Sequence, residues 1–264
     1  MTTALHEAEA AHVAGRHTPG PCAERGLALH EHPPYTPASF FGPRRHLLAA
    51  IGAIFAFLAV SASIANAWLL LRWDEPIQRF VEAHRSGALD TFFLQVSRFG
   101  STVIVLSAGA LLALLSWRRC HAVAVAVIVA TLSRPLLEFV LKALVGRSRP
   151  DLAQMVNGRG PSFPSGHVMA AVALWGLLPV VVALFTRSRV LWWASVVFSG
   201  ALILAIAASR VYLGVHWPSD VIAGLLLGAF FLLGIEAVLG LAHRVGGCTG
   251  TREGSEPRAA TSAE

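Results

Sequence analysis

Long apolar blocks separated by short polar stretches run through this chain. The blocks cover about Leu47–Leu71, Ser101–Trp117, Ala122–Val145, His167–Phe185, Val190–Ala208 and Val221–Ala242. Each approaches the ~20 residues needed to cross ~30 Å of hydrocarbon, the second being the shortest. The pattern predicts an all-α polytopic membrane bundle of six transmembrane helices. Between the first two blocks, Ile77, Phe80 and Val81, then Leu89, Phe92, Phe93 and Val96, recur at helical spacing. That spacing predicts one or two short amphipathic helices lying at the membrane interface.

Composition agrees with this reading. Of 264 residues, 55% are hydrophobic and only 14% charged, where a soluble domain carries more charge. Polar, Pro- and Gly-containing ends divide the chain into a disordered cytoplasmic segment (1–45), a membrane domain (46–244) and a disordered cytoplasmic tail (245–264). The first apolar run is too long for a cleaved leader, so none is expected. The net charge of +6 is scattered, with no basic, aromatic-rich patch, which excludes a nucleic-acid partner. Cys22, Cys120 and Cys248 are far apart and form no metal-binding or disulfide spacing.

Six spans place both termini on one side. Arg44, Arg45, Arg118, Arg119, Arg187, Arg189 and Arg244 fall on that side, which the positive-inside rule makes cytoplasmic. Arg72, Arg79, Arg85 and Arg98 in the first outer loop oppose this, but acids are mixed among them. The three cysteines then lie inside, where thiols stay reduced.

The other two outer loops carry the chemistry. The single lysine of the chain, Lys142, precedes Arg149–Pro150 and then Pro164-Ser165-Gly166-His167. Ser209-Arg210 precedes His216 and Asp220. These three segments resemble the signature of the type 2 phosphatidic acid phosphatase family, whose fold is shared with vanadium haloperoxidases. That signature reads Lys-x6-Arg-Pro, Pro-Ser-Gly-His and Ser-Arg-x5-His-x3-Asp, and every position matches in order and spacing. The motifs occupy under a third of the chain. The resemblance implies a membrane lipid phosphatase with His216 as nucleophile, Asp220 as its partner and His167 as acid and base. It assigns phosphate binding to Lys142, Arg149, Ser165, Gly166 and Arg210.

The residues support the same chemistry in their own right. A phosphate monoester carries nearly two negative charges, which Lys142, Arg149 and Arg210 can offset. Any one of them alone reads equally as a headgroup-facing cation. Ser165 and Gly166 begin a helix, where free N–H groups favour an anion and a serine favours a cap. Imidazole can attack phosphorus and split hydrolysis into two steps. Asp220, one helical turn after His216, can fix the imidazole tautomer, and Pro218 between them suits a first helical turn. His167 can protonate the leaving group and then activate water.

The site loops hold only Asp151 and Asp220 as acids, too few for a two-metal centre, so no metal or cofactor is expected. Asp151 reads as a solvated turn residue. Arg134, Glu138 and Lys142 share one helix face, which predicts that Glu138 neutralises Arg134 and orients Lys142, or that the pair is purely structural. Gly224 and Gly228 predict close helix packing within the bundle. Glu236 receives no role.

The substrates that fit are polyprenyl pyrophosphate, phosphatidylglycerophosphate and phosphatidic acid, cleaved on the extracytoplasmic face. Two other classes remain open: a vanadate-dependent haloperoxidase, and a lipid-phosphate binder or flippase without a nucleophile. Headgroup preference and oligomeric state are not encoded in these motifs.

Overall fold

The apolar blocks fold into helices whose ends follow local chemistry. The computed structural model describes residues 37–65, 71–151 and 154–244. Among them are nine helices: α1 (Pro37–Ala65), α2 (Leu71–Ala83), α3 (Gly87–Arg98), α4 (Thr102–Trp117), α5 (His121–Val145), α6 (Gly166–Trp175), α7 (Leu178–Ala183), α8 (Arg189–Tyr212) and α9 (Pro218–Arg244). Ser101 caps α4 by accepting the Ile104 N–H, and Ser188 caps α8 by accepting that of Leu191. Gly146 ends α5 at φ 58°, a left-handed conformation that glycine adopts without penalty, and donates its N–H to the Lys142 carbonyl.

Five stretches are long and apolar enough to cross a membrane: Pro43–Ala65, His121–Val145, Gly166–Ala183, Arg189–Tyr212 and Pro218–Leu241. They correspond to the first, third, fourth, fifth and sixth predicted spans. The second differs. At ~1.5 Å per residue, α4 alone reaches about 24 Å, short of the hydrocarbon thickness. It makes a sixth span only together with α3, to which it is bent by 48°. A sixth span would thus have to take in the helix predicted to lie at the interface. The fourth span is broken between α6 and α7, where Pro179 has no N–H to continue the ladder.

The first helix begins at Pro37, so residues 37–45, expected to be disordered, are helical. The rest of the predicted N-terminal segment, residues 66–70 of the first predicted span, the tail from 245, and Cys22 and Cys248 lie outside the described residues. Cys120 is buried just before α5.

Helix α6 occupies the middle of the bundle. Every side chain from Val168 to Leu174 is buried, and α6 packs against α4, α5, α8 and α9. Small residues permit this. A β-carbon on Gly224 of α9 would meet the Ser165 carbonyl at 2.8 Å, and one on Gly228 would meet Val172 Cβ at 2.6 Å. These glycines bring α9 against α6, the intrabundle packing expected from their spacing. α1 lies along α9, and Phe57 and Val60 of α1 share a core cluster with Met169 of α6 and Leu227 of α9. Leu114, Leu132, Leu136, Phe139, Val197 and Leu204 stand exposed on α4, α5 and α8, forming an outward apolar belt suited to lipid.

One end of the bundle is braced by α2 and α3. The last carbonyls of a helix have no partner within it. Gln78 Nε2 donates to the Val211 carbonyl at 2.9 Å, and Arg85 Nη2 to that of Tyr212 at 2.8 Å. The Tyr212 hydroxyl donates to Asp90 Oδ1 at 2.6 Å. At the other end Arg119 reaches the Leu184 carbonyl and the Phe185 ring. Glu236, given no role from sequence, faces His46 of α1 at 3.6 Å, both buried.

Candidate active site

His216 lies in the short connection between α8 and α9, and Pro218 opens α9 as its position predicts. Asp220 follows in the first turn, fully buried. Its Oδ2 accepts the Trp217 N–H at 3.0 Å and stands 3.6 Å from His216 Nδ1. That separation is a contact rather than a hydrogen bond, and Nδ1 has no hydrogen-bond partner. Burial pulls the His216 imidazole down from its ordinary value to about 4. Arg210 and Arg149 add to the effect and Asp220 opposes it. The ring is therefore neutral near pH 7, the form that can attack.

Arg149 lies on the other side of the ring, its Nη1 3.5 Å from His216 Nε2. The guanidinium is held in place by backbone carbonyls: Nη1 donates to Val215 at 2.6 Å, Nε to Gly160 at 3.0 Å and Nη2 to Arg159 at 3.0 Å. The 158–161 loop wraps the side chain so closely that a β-carbon on Gly158 would meet Arg149 Cδ at 2.7 Å. Burial lowers the Arg149 guanidinium from its ordinary value, against the pull of Asp220 and Glu138. An arginine so displaced is still a cation at neutral pH.

Arg210, near the end of α8, is buried and donates through Nη1 to Ser97 Oγ of α3, leaving Nε without a hydrogen-bond partner. Lys142, one turn before the end of α5, pairs with Glu138 Oε1 at 2.8 Å. Glu138 Oε2 pairs with Arg134 at 2.8 Å, and Arg134 also reaches Thr102 Oγ1 and the Gly166 carbonyl. The contacts predicted for Glu138 are thus both made.

Ser165 occupies the N-cap position of α6, but its side chain makes no cap bond. Its buried Oγ has no hydrogen-bond partner, so the expected serine cap is absent and the hydroxyl is unused. Its backbone N–H is donated to the Asp220 carbonyl at 3.1 Å, which ties the start of α6 to the start of α9. Gly166 is required for a reason the sequence did not suggest. A β-carbon there would lie 2.1 Å from Glu138 Oε2. His167 lines a cavity of about 480 Å³ together with Arg210, Ser97, Arg98, Gln95 and Asn157. It is within electrostatic reach of Arg210, His216, Arg134 and Lys142.

All eight residues singled out from sequence therefore gather at one end of the bundle. Asp151, expected in a solvated turn, is exposed. Sequence reasoning missed Arg147 and Asp74. Arg147 Nη1 donates to Asp220 Oδ1 at 2.6 Å and its Nη2 to Asp74 Oδ2 at 2.6 Å. Arg147 falls at an unspecified position of the signature, and Asp74 lies far outside it. The only signal was an arginine and an acid in segments predicted to share one face of the membrane. Among the described residues, no group of three or more His, Cys, Asp or Glu side chains is arranged to hold a metal ion.

Residues 122–242, which contain every one of these signature positions, match the sequence model of the PAP2 superfamily. This segment, a little under half of the chain, is similar to members of that superfamily. The backbone agrees: the crystal structure of the transmembrane PAP2 type phosphatidylglycerolphosphate phosphatase from Bacillus subtilis superposes with a TM-score of 0.64 at 25% identity, over 72% of this chain and 94% of that one. In sequence, the PAP2 segment is similar to phosphatidylglycerophosphatase B of Bacillus subtilis, 35% identical over 105 residues, 37% of this chain and 50% of that protein. It is also similar to an undecaprenyl-diphosphatase of Sulfolobus acidocaldarius, 24% identical over 183 residues, 67% of this chain and 84% of that protein. The match to phosphatidylglycerophosphatase B thus spans half of that relative's length.

Proposed function

We propose that this protein is an integral membrane lipid phosphatase that hydrolyses a lipid phosphate monoester or pyrophosphate through a phosphohistidine. The observation that carries the reading is the arrangement around His216: a carboxylate at Nδ1 and a guanidinium beside Nε2. A partner at Nδ1 directs the lone pair to Nε2, and a cation beside Nε2 draws a phosphoryl group to the atom that attacks it. A pure binder needs the cations but not this paired imidazole.

In the first step His216 Nε2 bonds to phosphorus as the bond to the leaving oxygen breaks. His167 gives that oxygen a proton. In the second step His167 takes a proton from water, whose oxygen displaces His216 and releases inorganic phosphate. Lys142, Arg149 and Arg210 hold the phosphoryl oxygens, with the Ser165 hydroxyl and the start of α6 contributing donors. No metal enters this scheme.

The catalytic end is assigned to the extracytoplasmic face. Arg118, Arg119, Arg187 and Arg189 belong to the two connections at the opposite end, and positive residues favour the cytoplasm. The phosphatidylglycerophosphatase and undecaprenyl-diphosphatase relatives support a substrate with a phosphate head and a lipid tail between helices.

The test is phosphate release from phosphatidic acid, phosphatidylglycerophosphate and polyprenyl pyrophosphate, with EDTA present. The expected result is release from at least one, with labelled phosphate trapped on wild-type protein and not on His216→Ala. Release by His216→Ala at the wild-type rate overturns the mechanism. Halide oxidation with added vanadate, in place of hydrolysis, would assign the haloperoxidase chemistry instead.

A further inference from the structure

Arg147 bridges two buried carboxylates that come from opposite ends of the membrane domain's sequence. Nη1 donates to Asp220 Oδ1 at 2.6 Å and to Ser219 Oγ at 2.7 Å, while Nη2 donates to Asp74 Oδ2 at 2.6 Å. The guanidinium lies over the Trp217 ring, 5.6 Å from its centroid. Asp74 also accepts the Ser219 backbone N–H at 2.8 Å and the Ser219 hydroxyl. Ser219 is the second residue of α9, so that N–H is one the helix itself leaves unpaired. Asp74, on the first turn of α2, therefore caps α9 from 145 residues away. Asp74, Ser219 and Asp220 are all buried.

This arrangement divides the Asp220 carboxylate. Oδ1 is taken by Arg147, and Oδ2 holds the Trp217 N–H and faces His216. One guanidinium serves two carboxylates, and only the planar fork of arginine can address both at once. We infer that Arg147 and Asp74 are positioning residues for the His216–Asp220 pair: Arg147 orients the Asp220 carboxylate and attenuates its charge toward the imidazole, and Asp74 sets the degree of attenuation by sharing the guanidinium. The inference rests on the reading of His216 as nucleophile and Asp220 as its partner. Neither Arg147 nor Asp74 belongs to the signature motifs.

The charged and titratable groups facing His216 are Asp220 from α9, Arg210 from α8, Arg149 from the α5–α6 connection and His167 from α6. None of these is altered in the test. The full chain in detergent is labelled at histidine, and the His216 resonance, assigned by its loss in His216→Ala, is titrated by NMR. Turnover of a lipid phosphate is measured alongside.

Arg147→Gln leaves the Asp220 charge unattenuated, so the imidazole titrates at higher pH than in wild type. Asp74→Asn keeps both acceptor oxygen and shape at the α9 cap but frees the guanidinium for Asp220, so the imidazole titrates at lower pH. In Arg147→Gln, kcat falls about 10- to 100-fold with KM little changed, the scale seen when an outer support of a reactive group is removed. Arg147→Lys restores charge without the fork and recovers part of the loss.

Shifts of opposite sign support the inference. Unchanged titration in the folded variants, or shifts of one sign, overturns it. A merely structural role lowers the folded fraction and leaves the titration where it was. Should Arg147→Gln fail to fold, Asp74→Asn and Arg147→Lys decide the question by the same titration. Absence of phosphate release by wild-type protein would sink the functional reading, while the titrations still decide this one.

Discussion

The Glu138 carboxylate lies against the backbone of Gly166, so close that a β-carbon there would fall 2.1 Å from Oε2 and 2.3 Å from Oε1. The end of a glutamate side chain ordinarily gives way. This one is pinned by Arg134 and Lys142, each at 2.8 Å. Gly166→Ala must therefore break at least one of these ion pairs, and it displaces Lys142 from the position proposed for phosphate binding. The expected result is loss of both thermal stability and turnover. In a Glu138→Ala background the added methyl has room, so Gly166→Ala costs much less there; additive losses would show that the contact does not constrain the site.

Ser165→Ala separates binding from stability. The N-cap serine of a helix ordinarily contributes about 1 kcal/mol through its cap bond. Ser165 makes no such bond, and its Oγ has no hydrogen-bond partner. The alanine variant is expected to unfold at the wild-type temperature while its KM for a lipid phosphate rises. A fall in unfolding temperature with KM unchanged would return Ser165 to a structural role.

His167→Ala should discriminate between substrates. An alkoxide leaving group needs a proton as it departs, whereas a phosphate leaving group needs less assistance. Cleavage of phosphatidic acid should therefore fall further than cleavage of polyprenyl pyrophosphate, measured as kcat on the same preparation. Equal losses on both would count against His167 as the acid.

Stability should depend on His216 through pH. Burial lowers its imidazole from 6.5 to about 4 in the folded protein. As pH falls through 6.5 the unfolded chain takes up a proton that the folded protein does not accept until about 4. Across that window the unfolded state binds more protons, so stability rises with pH. The contribution is fully present above about 6.5 and is lost as pH falls toward 4. Thermal unfolding in detergent from pH 7 to pH 4.5 should show the decline, and His216→Ala should make it shallower.

Five of the six span positions and the eight candidate site residues were legible because each leaves a local mark. Apolar runs declare themselves over ~20 residues, and the motifs are short and contiguous. What escaped depends on distant partners. Asp74 and Arg147 acquire meaning only when α2 docks beside the start of α9, which periodicity does not encode. Gly166 invited an explanation through anion approach, yet the atom nearest its missing side chain belongs to Glu138. The helical start at Pro37 was hidden by a polar, proline-containing stretch, and the pairing of α3 with α4 by their unlike composition, one amphipathic and the other uncharged and apolar. The break before Pro179 was visible as a proline, but so was Pro135, which α5 accommodates within one continuous helix. Residue type alone did not separate those two cases.

Gly224 has a geometric consequence for chemistry. His167 lies in the first turn of α6 and Asp220 in the first turn of α9, and the two helices meet backbone to backbone, the Ser165 carbonyl standing 2.8 Å from where a side chain on residue 224 would start. The gap between His167 and the His216–Asp220 pair is accordingly set by main-chain approach and not by adjustable side chains. A reaction centre framed in this way behaves as a rigid gauge, and widening it by one methyl group at position 224 should spoil the alignment for every substrate alike, whatever lipid is attached.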